Sequence, residues 1–358
     1  MPNVACSPLP RWLPAVMSQS SHSSEPPVPG DMYPPVEPPS AGFILQLFVV
    51  PGIIVAIIIM VWLLFNWVAR TGNDPQEYVR ALQRDNAGSW QAAVNLANAL
   101  ANSGPQGAEL RKQASLARDL ADLLDKEIES GSANEQSLMM QFFLCKALGE
   151  FETSEGLSTL VKAAARRDEK EGEVRLAALQ AIAVLAENLS RAQPGQSLAK
   201  PDVVEVLLDA SHDADARVRG TAAYSMGVVG GDKLVARLAE MLADGNPDVR
   251  YNAAMWLAAD GDERAADTLA EMLDPEESTG VELEKEEKLR PYKRALIVGN
   301  ALRAAQKLHA KNPAADLSAV RGQLERLLAS NPDKVERVAA AELLEELTPA
   351  EKVPTRAE

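Results

Sequence analysis

The pentapeptide Leu238-Ala239-Glu240-Met241-Leu242 returns unchanged at Leu269-Ala270-Glu271-Met272-Leu273, 31 residues further on. At the same offset Val218-Arg219 with Ala222-Ala223 becomes Val249-Arg250 with Ala253-Ala254. Gly230 likewise becomes Gly261, and Asp213 becomes Asp244. A looser copy opens at Val174-Arg175 with Ala178, and a degenerate one runs over Val335–Ala340. A fixed period of this length marks a chain of stacked supersecondary units, each too small to bury its own apolar face. The units must therefore lie against their neighbours in chain order, which constrains the fold more than any single motif does.

Each unit reads as two helices. Leu234, Leu238, Met241 and Leu242 place one apolar stripe on the first. An Asp/Asn/Pro turn follows, DADAR or DGNPD, in which Asp215 or Asp248 is placed to cap the next helix. The second helix opens with Val-Arg, and its paired alanines let successive units approach closely. Candidate helices are 75–84, 89–102, 107–129, 134–148, 155–167, 173–190, 201–211, 216–228, 232–243, 248–258, 263–273, 283–309, 315–329 and 333–347, about six pairs. Turns are expected at Gly104-Pro105, Gly131, Gly149, Pro194-Gly195, Asp274-Pro275 and Asn312-Pro313. Residues 276–290, with six acids and three bases, break the rhythm and read as a solvated connection into a longer helix.

The Val-Arg-x-x-Ala-Ala signature at Val218 and Val249, with GDERA at Gly261–Ala265, resembles the HEAT repeat. The short spacing is most similar to the bacterial class related to phycobilisome-lyase repeats. The resemblance is strongest over 200–275 and weakest over 75–133 and 292–347. It implies that Arg175, Arg219 and Arg250 pair with turn acids such as Asp213, Asp215, Asp244 and Asp248. It also implies a scaffold that binds proteins, or, alternatively, a lyase-like enzyme or enzyme subunit. Relatives that hydroxylate a modified lysine hold two irons with His-Glu pairs. Here His22 is followed by Ser, His212 by Asp and His309 by Ala, so that ligand pattern is missing.

Ahead of the repeats lie two other blocks. Residues 1–42 hold eleven of the 23 prolines and seven serines, a composition that cannot recover the entropy of ordering. They read as a disordered tail, with Pro26–Pro29 and Pro35–Pro38 at the PxxP spacing common in proline-rich linkers. Pro2, Pro8, Pro10 and Pro14 interrupt any apolar core of a signal peptide, and nothing hydrophobic precedes Cys6 as a lipoprotein site would need. No charge occurs between Glu37 and Arg70, and Phe43–Phe65 carries one polar side chain, Gln46. As a helix this run reaches about 35 Å, enough to cross a hydrocarbon layer of about 30 Å. Residues 43–69 thus read as a transmembrane helix. Arg70, Arg80 and Arg84 on its C-terminal flank, against Arg11 alone before it, put the C-terminal side in the cytoplasm.

With 36 Lys and Arg against 51 Asp and Glu the net charge is −15, which excludes a general nucleic-acid binder and favours basic protein partners. Two cysteines, Cys6 and Cys145, exclude a disulfide scaffold, and Cys145 in QFFLCKAL reads as a core thiol. SHDADAR hints at a metal loop at His212, but its repeat DGNPD has no histidine, so capping explains both. No catalytic, cofactor or metal residue is assigned. Second helices line the concave face of a solenoid, so Arg219, Tyr224, Arg250, Tyr251 and Trp256 form the candidate protein-binding surface, though aromatic side chains there also suit packing between repeats. The expected fold is all-α: a disordered tail (1–42), a transmembrane helix (43–69), a HEAT-like solenoid (73–347) and a flexible C-terminal tail (348–358). The expected function is that of a single-pass membrane scaffold without catalysis.

Overall fold

The computed structural model describes residues 40–71, 75–82, 89–168, 171–330 and 334–348. Most of the proline-rich tail read over 1–42 lies outside them, and so does the C-terminal tail beyond Thr348. Among the described residues every regular element is helical. The chain divides at Val68–Ala69 into two units, the first holding α1 and the second the array of helices that follows.

Helix α1 runs Ala41–Thr71 and is continuous through Pro51. Its stretch Leu45–Asn66 is long and apolar enough to cross a membrane. Every side chain described between Gly42 and Phe65 is exposed, from Phe48 at 71% to Val49 at 43%. This stretch is apolar apart from Gln46 and its described side chains are exposed, which is the reverse of the amphipathic helices that follow.

The second unit contains α2 (Pro75–Leu82), α3 (Ser89–Ala101), α4 (Pro105–Arg111), α5 (Ala114–Glu129), α6 (Glu135–Gly149), α7 (Leu157–Ala164), α8 (Gly172–Ala192) and α9 (Pro201–Ala210). These are followed by α10 (Ala216–Val229), α11 (Asp232–Met241), α12 (Pro247–Asp260), α13 (Ala266–Leu273), α14 (Thr279–Glu282), α15 (Arg290–Lys311), α16 (Ser318–Ser330) and α17 (Lys334–Leu347). Seven antiparallel pairs result, α2/α3, α5/α6, α7/α8, α9/α10, α11/α12, α13/α15 and α16/α17, where about six were expected. The second helices α3, α6, α8, α10, α12, α15 and α17 pack in chain order as one layer, and the first helices pack likewise from α2 through α5, α7 and α9 to α11 and again between α13 and α16. Between the layers runs one continuous core in which Leu96, Leu120, Leu144, Leu179, Leu207, Ala223, Ala254 and Leu269 are fully buried.

Four local expectations are corrected by this packing. The helix expected over 107–129 is two helices broken at Gln113, whose backbone is extended. Arg111 explains the fold-back, since its Nη1 donates to the carbonyls of Leu100 (2.6 Å) and Asn102 (3.0 Å) at the end of α3. Gly149 is no turn but the last residue of α6. It is buried so tightly that a Cβ would lie 2.8 Å from the Cα of Ala181. The helix expected from 283 begins at Arg290, because Pro291 in the first turn has no N–H to continue a helix from upstream. Before it stand the short α14 and a 3-10 turn, Glu287–Leu289. Finally, Asp248 is not the cap of α12. The residue 31 positions after the cap Asp215 is Asn246, and its side chain accepts from the N–H of Asp248, while Pro247 opens the helix.

Candidate functional site

The turn arginines are built into the array. Three second helices, α8, α10 and α12, carry Val-Arg in their first turn, with Val174, Val218 and Val249 buried in the core. Arg219 Nη1 donates to the carbonyls of Asp213 (2.9 Å) and Ala214 (3.1 Å), and Arg250 Nη1 to that of Asp244 (2.8 Å). The rest of each guanidinium reaches the next unit. Arg175 pairs with Asp213, and Arg219 holds Asp244 through two bonds of 2.8 and 2.9 Å. The same aspartates cap their own turns, Asp213 accepting from Asp215 N and Asp244 from Asn246 N, both at 2.8 Å. The implied ladder therefore exists at Asp213 and Asp244. Asp215 instead pairs with Arg217 and Asp248 with Lys293. Arg250 turns to Glu271, because the position 31 residues beyond Asp244 is Pro275.

The hydrogen bonds from Arg219 hold Asp244 below the usual carboxylate range against the opposing effect of its burial. The bond to Asp244 in turn raises the pKa of Arg219, and Glu271 does the same for Arg250. Tyr251 is buried, with its hydroxyl donating to Glu271 Oε1 at 3.1 Å. Burial first, and then that carboxylate, push the phenol above its ordinary value. Gly280 of α14 lies over the ring, where a Cβ would sit 2.8 Å from Cε2. Arg219, Arg250 and Tyr251, three of the five surface candidates, are thus engaged in holding units together.

Tyr224 and Trp256 are the two that come together in the open. The indole of Trp256 on α12 lies over Gly227 of α10, where any Cβ would overlap the ring. Tyr224, one turn earlier on α10, meets Trp256 edge-on with ring centroids 5.7 Å apart and planes at 69°. Its hydroxyl donates to Glu187 of α8 at 3.0 Å. Burial, followed by the Glu187 charge, raises its pKa, so at neutral pH it stays a protonated donor. Opposite them α15 presents Asn300, Arg303, Ala304 and Lys307. With Asn252, Met255 and Ala259 of α12 they enclose a groove of about 420 Å³. Asn252 is fixed by donating to the carbonyl of Gly220 at 3.1 Å. Aromatic faces beside amide and cationic donors suit holding a segment of another chain. The α15 half of this groove was absent from the sequence reading. Its residues lie 44 or more positions from Trp256 across the irregular 276–290 segment, where the 31-residue period no longer predicts neighbours.

Among the described residues no three His, Cys, Asp or Glu side chains gather as a metal site. His212 Nδ1 lies 2.9 Å from the carbonyl of Leu208. Cys145 is fully buried, and burial pushes its thiol up to about 12.

Residues 204–284 match the family model for HEAT repeats, which includes both strict 31-residue copies. No curated protein matches the chain. Among solved structures, an engineered protein 17% identical to the chain covers 77% of it and 96% of its own length at a TM-score of 0.33. A designed armadillo repeat protein in complex with the peptide (KR)4 is 18% identical, with coverage of 76% and 99% at a TM-score of 0.35. Human deoxyhypusine hydroxylase in complex with glycerol is 18% identical, with coverage of 76% and 95% at a TM-score of 0.27.

Proposed function

We propose that this chain is a single-pass, membrane-anchored repeat scaffold whose solenoid binds protein partners and performs no catalysis of its own. The observation that carries this reading is the pairing, in one chain, of an exposed helix long and apolar enough to cross a membrane with a HEAT-repeat array that has an open aromatic groove on its second-helix layer. α1 is the anchor. The bias of Arg70, Arg80 and Arg84 over Arg11 supports a cytoplasmic array. Anchoring confines the array to the neighbourhood of one bilayer, which raises its effective concentration for partners in or on that membrane. The wider acidic surface favours basic partners over anionic lipid headgroups.

Proximity labelling from a C-terminal fusion in the native host tests the reading. The full chain should label a defined set of membrane-associated proteins, and a chain lacking residues 41–71 should lose them. Labelling that does not change when α1 is removed would sink the anchored-scaffold proposal. A protease-accessible tag at Glu358 on the outside of intact cells would reverse the orientation.

A further inference from the structure

The groove carries a charge opposite to that of the chain. Asp and Glu outnumber Lys and Arg by 51 to 36, and the turn arginines are each held by a carboxylate. Arg303 and Lys307 differ from them. Both are exposed, one turn apart on α15, and among the described residues Arg303 bonds only the neutral Asn300 Oδ1, at 2.6 Å. Among the described residues no Asp or Glu lines the groove. The carboxylate bonded to a lining residue, Glu187, is engaged by the Tyr224 hydroxyl and lies 4.0 Å from Arg191. The same face of α15 continues toward its N-terminus with Tyr292 and Leu296, 66% and 45% exposed, at the three- and four-residue spacing that leads to Asn300 and Arg303. One helix face is thus apolar at one end and cationic at the other, beside an aromatic wall. Charge-assisted hydrogen bonds to carboxylates would complete it.

We propose that the groove between α12 and α15 binds an acidic peptide segment of a partner protein, with carboxylates on Arg303 and Lys307 and an apolar side chain against Tyr224 and Trp256. This rests on the scaffold reading and gives its partner a chemistry at this site. Two cations in a chain of net charge −15 are too few to hold a nucleic-acid backbone, so a peptide is the favoured anion.

The test uses the full chain in detergent micelles and fluorescence anisotropy of a labelled alternating glutamate–leucine peptide. That peptide should bind, and its affinity should fall as salt rises. The double variant Arg303→Glu, Lys307→Glu should weaken binding about tenfold or more and gain affinity for a lysine–leucine peptide. Trp256→Ala should weaken binding of the glutamate–leucine peptide, with helicity of each variant checked by circular dichroism. Unchanged affinity in the reversed chain overturns the proposal. So does tighter binding of the lysine–leucine peptide by the wild type that Trp256→Ala weakens, no binding of the glutamate–leucine peptide, or equal competition by single-stranded DNA. Proximity labelling in the host separates the two failures. Partners kept at full yield by the reversed chain remove the groove and leave the scaffold standing, whereas no partner for either chain removes both.

Discussion

Asp244 serves two units at once, capping the turn that contains Asn246 and accepting the Arg219 guanidinium from the unit before. Asp244→Asn should therefore cost about 1–3 kcal/mol in urea unfolding at pH 7, since the half-buried arginine loses its charged partner. The pH dependence has a definite sign. The pKa of Asp244 is lower in the folded chain than the unfolded value of about 3.9. Its contribution is therefore complete above that value and disappears as pH falls through the lower folded one. The gap between wild type and variant should shrink over that window, and a gap that stays constant would contradict the assignment. Cys145 makes a second case. With its thiol buried and pushed up to about 12, it should not react with a thiol reagent at pH 8 in the folded chain, and it should react fully in urea. The partnership of Arg219 with Asp244 was legible because both recur at one offset. That of Arg250 with Glu271 was not, because Pro275 removes the carboxylate the period would supply and Glu271 on helix α13 takes its place.

At the scale of elements, helix identity was written in apolar spacing and two helix ends in the period, but the other ends and the close approaches were not. Gly230 and Gly261 recur as the period requires, and both have positive φ, 70° and 87°, at the ends of α10 and α12. Gly149 looked like another such punctuation mark. Its backbone is instead helical, and its value is the missing Cβ that lets α6 pass against α8. Gly149→Ala should lower stability by about 1–3 kcal/mol, because the obstructing Ala181 atoms include backbone and cannot swing aside. Thermal unfolding would show it, and a neutral effect would mean that α6 and α8 separate freely. The break between α4 and α5 has the same origin. Arg111 folds α4 back onto the end of α3, a contact no local pattern in 107–129 announces.

For the whole molecule, the two units treat their apolar surface in opposite ways. The array hides its stripes between layers, each pair covered by the next, so its stability is a sum over neighbours. The described side chains of α1 from Gly42 to Phe65 are all exposed, and on the proposed anchoring an apolar phase outside the chain covers them. If α1 is the anchor proposed above, Ile57→Arg near the middle of its apolar stretch should oppose insertion by about 2.5–3.5 kcal/mol. Carbonate extraction of cell membranes should then release a larger fraction of the variant than of the wild type. Equal retention would mean that something other than α1 holds the chain there. The candidate groove belongs to this scale as well. Tyr224 and Trp256 were picked out from their second-helix positions, whereas Arg303 and Lys307 reach them only because α15 takes its place in the layer beside α12.

The amino-acid order alone determined what repeats: paired helices, the faces they bury, the glycine ends, and one run too apolar for water. Those properties depend on residues within one or two turns of each other, or at one fixed spacing, and so can be read along the chain. Tertiary structure decided which arginine meets which acid after the period fails, which glycine is a turn and which a contact, and where a cationic helix face meets an aromatic one. Those outcomes depend on distances between segments tens of residues apart. Such distances are set by how whole helices pack in a close-packed core rather than by any local preference.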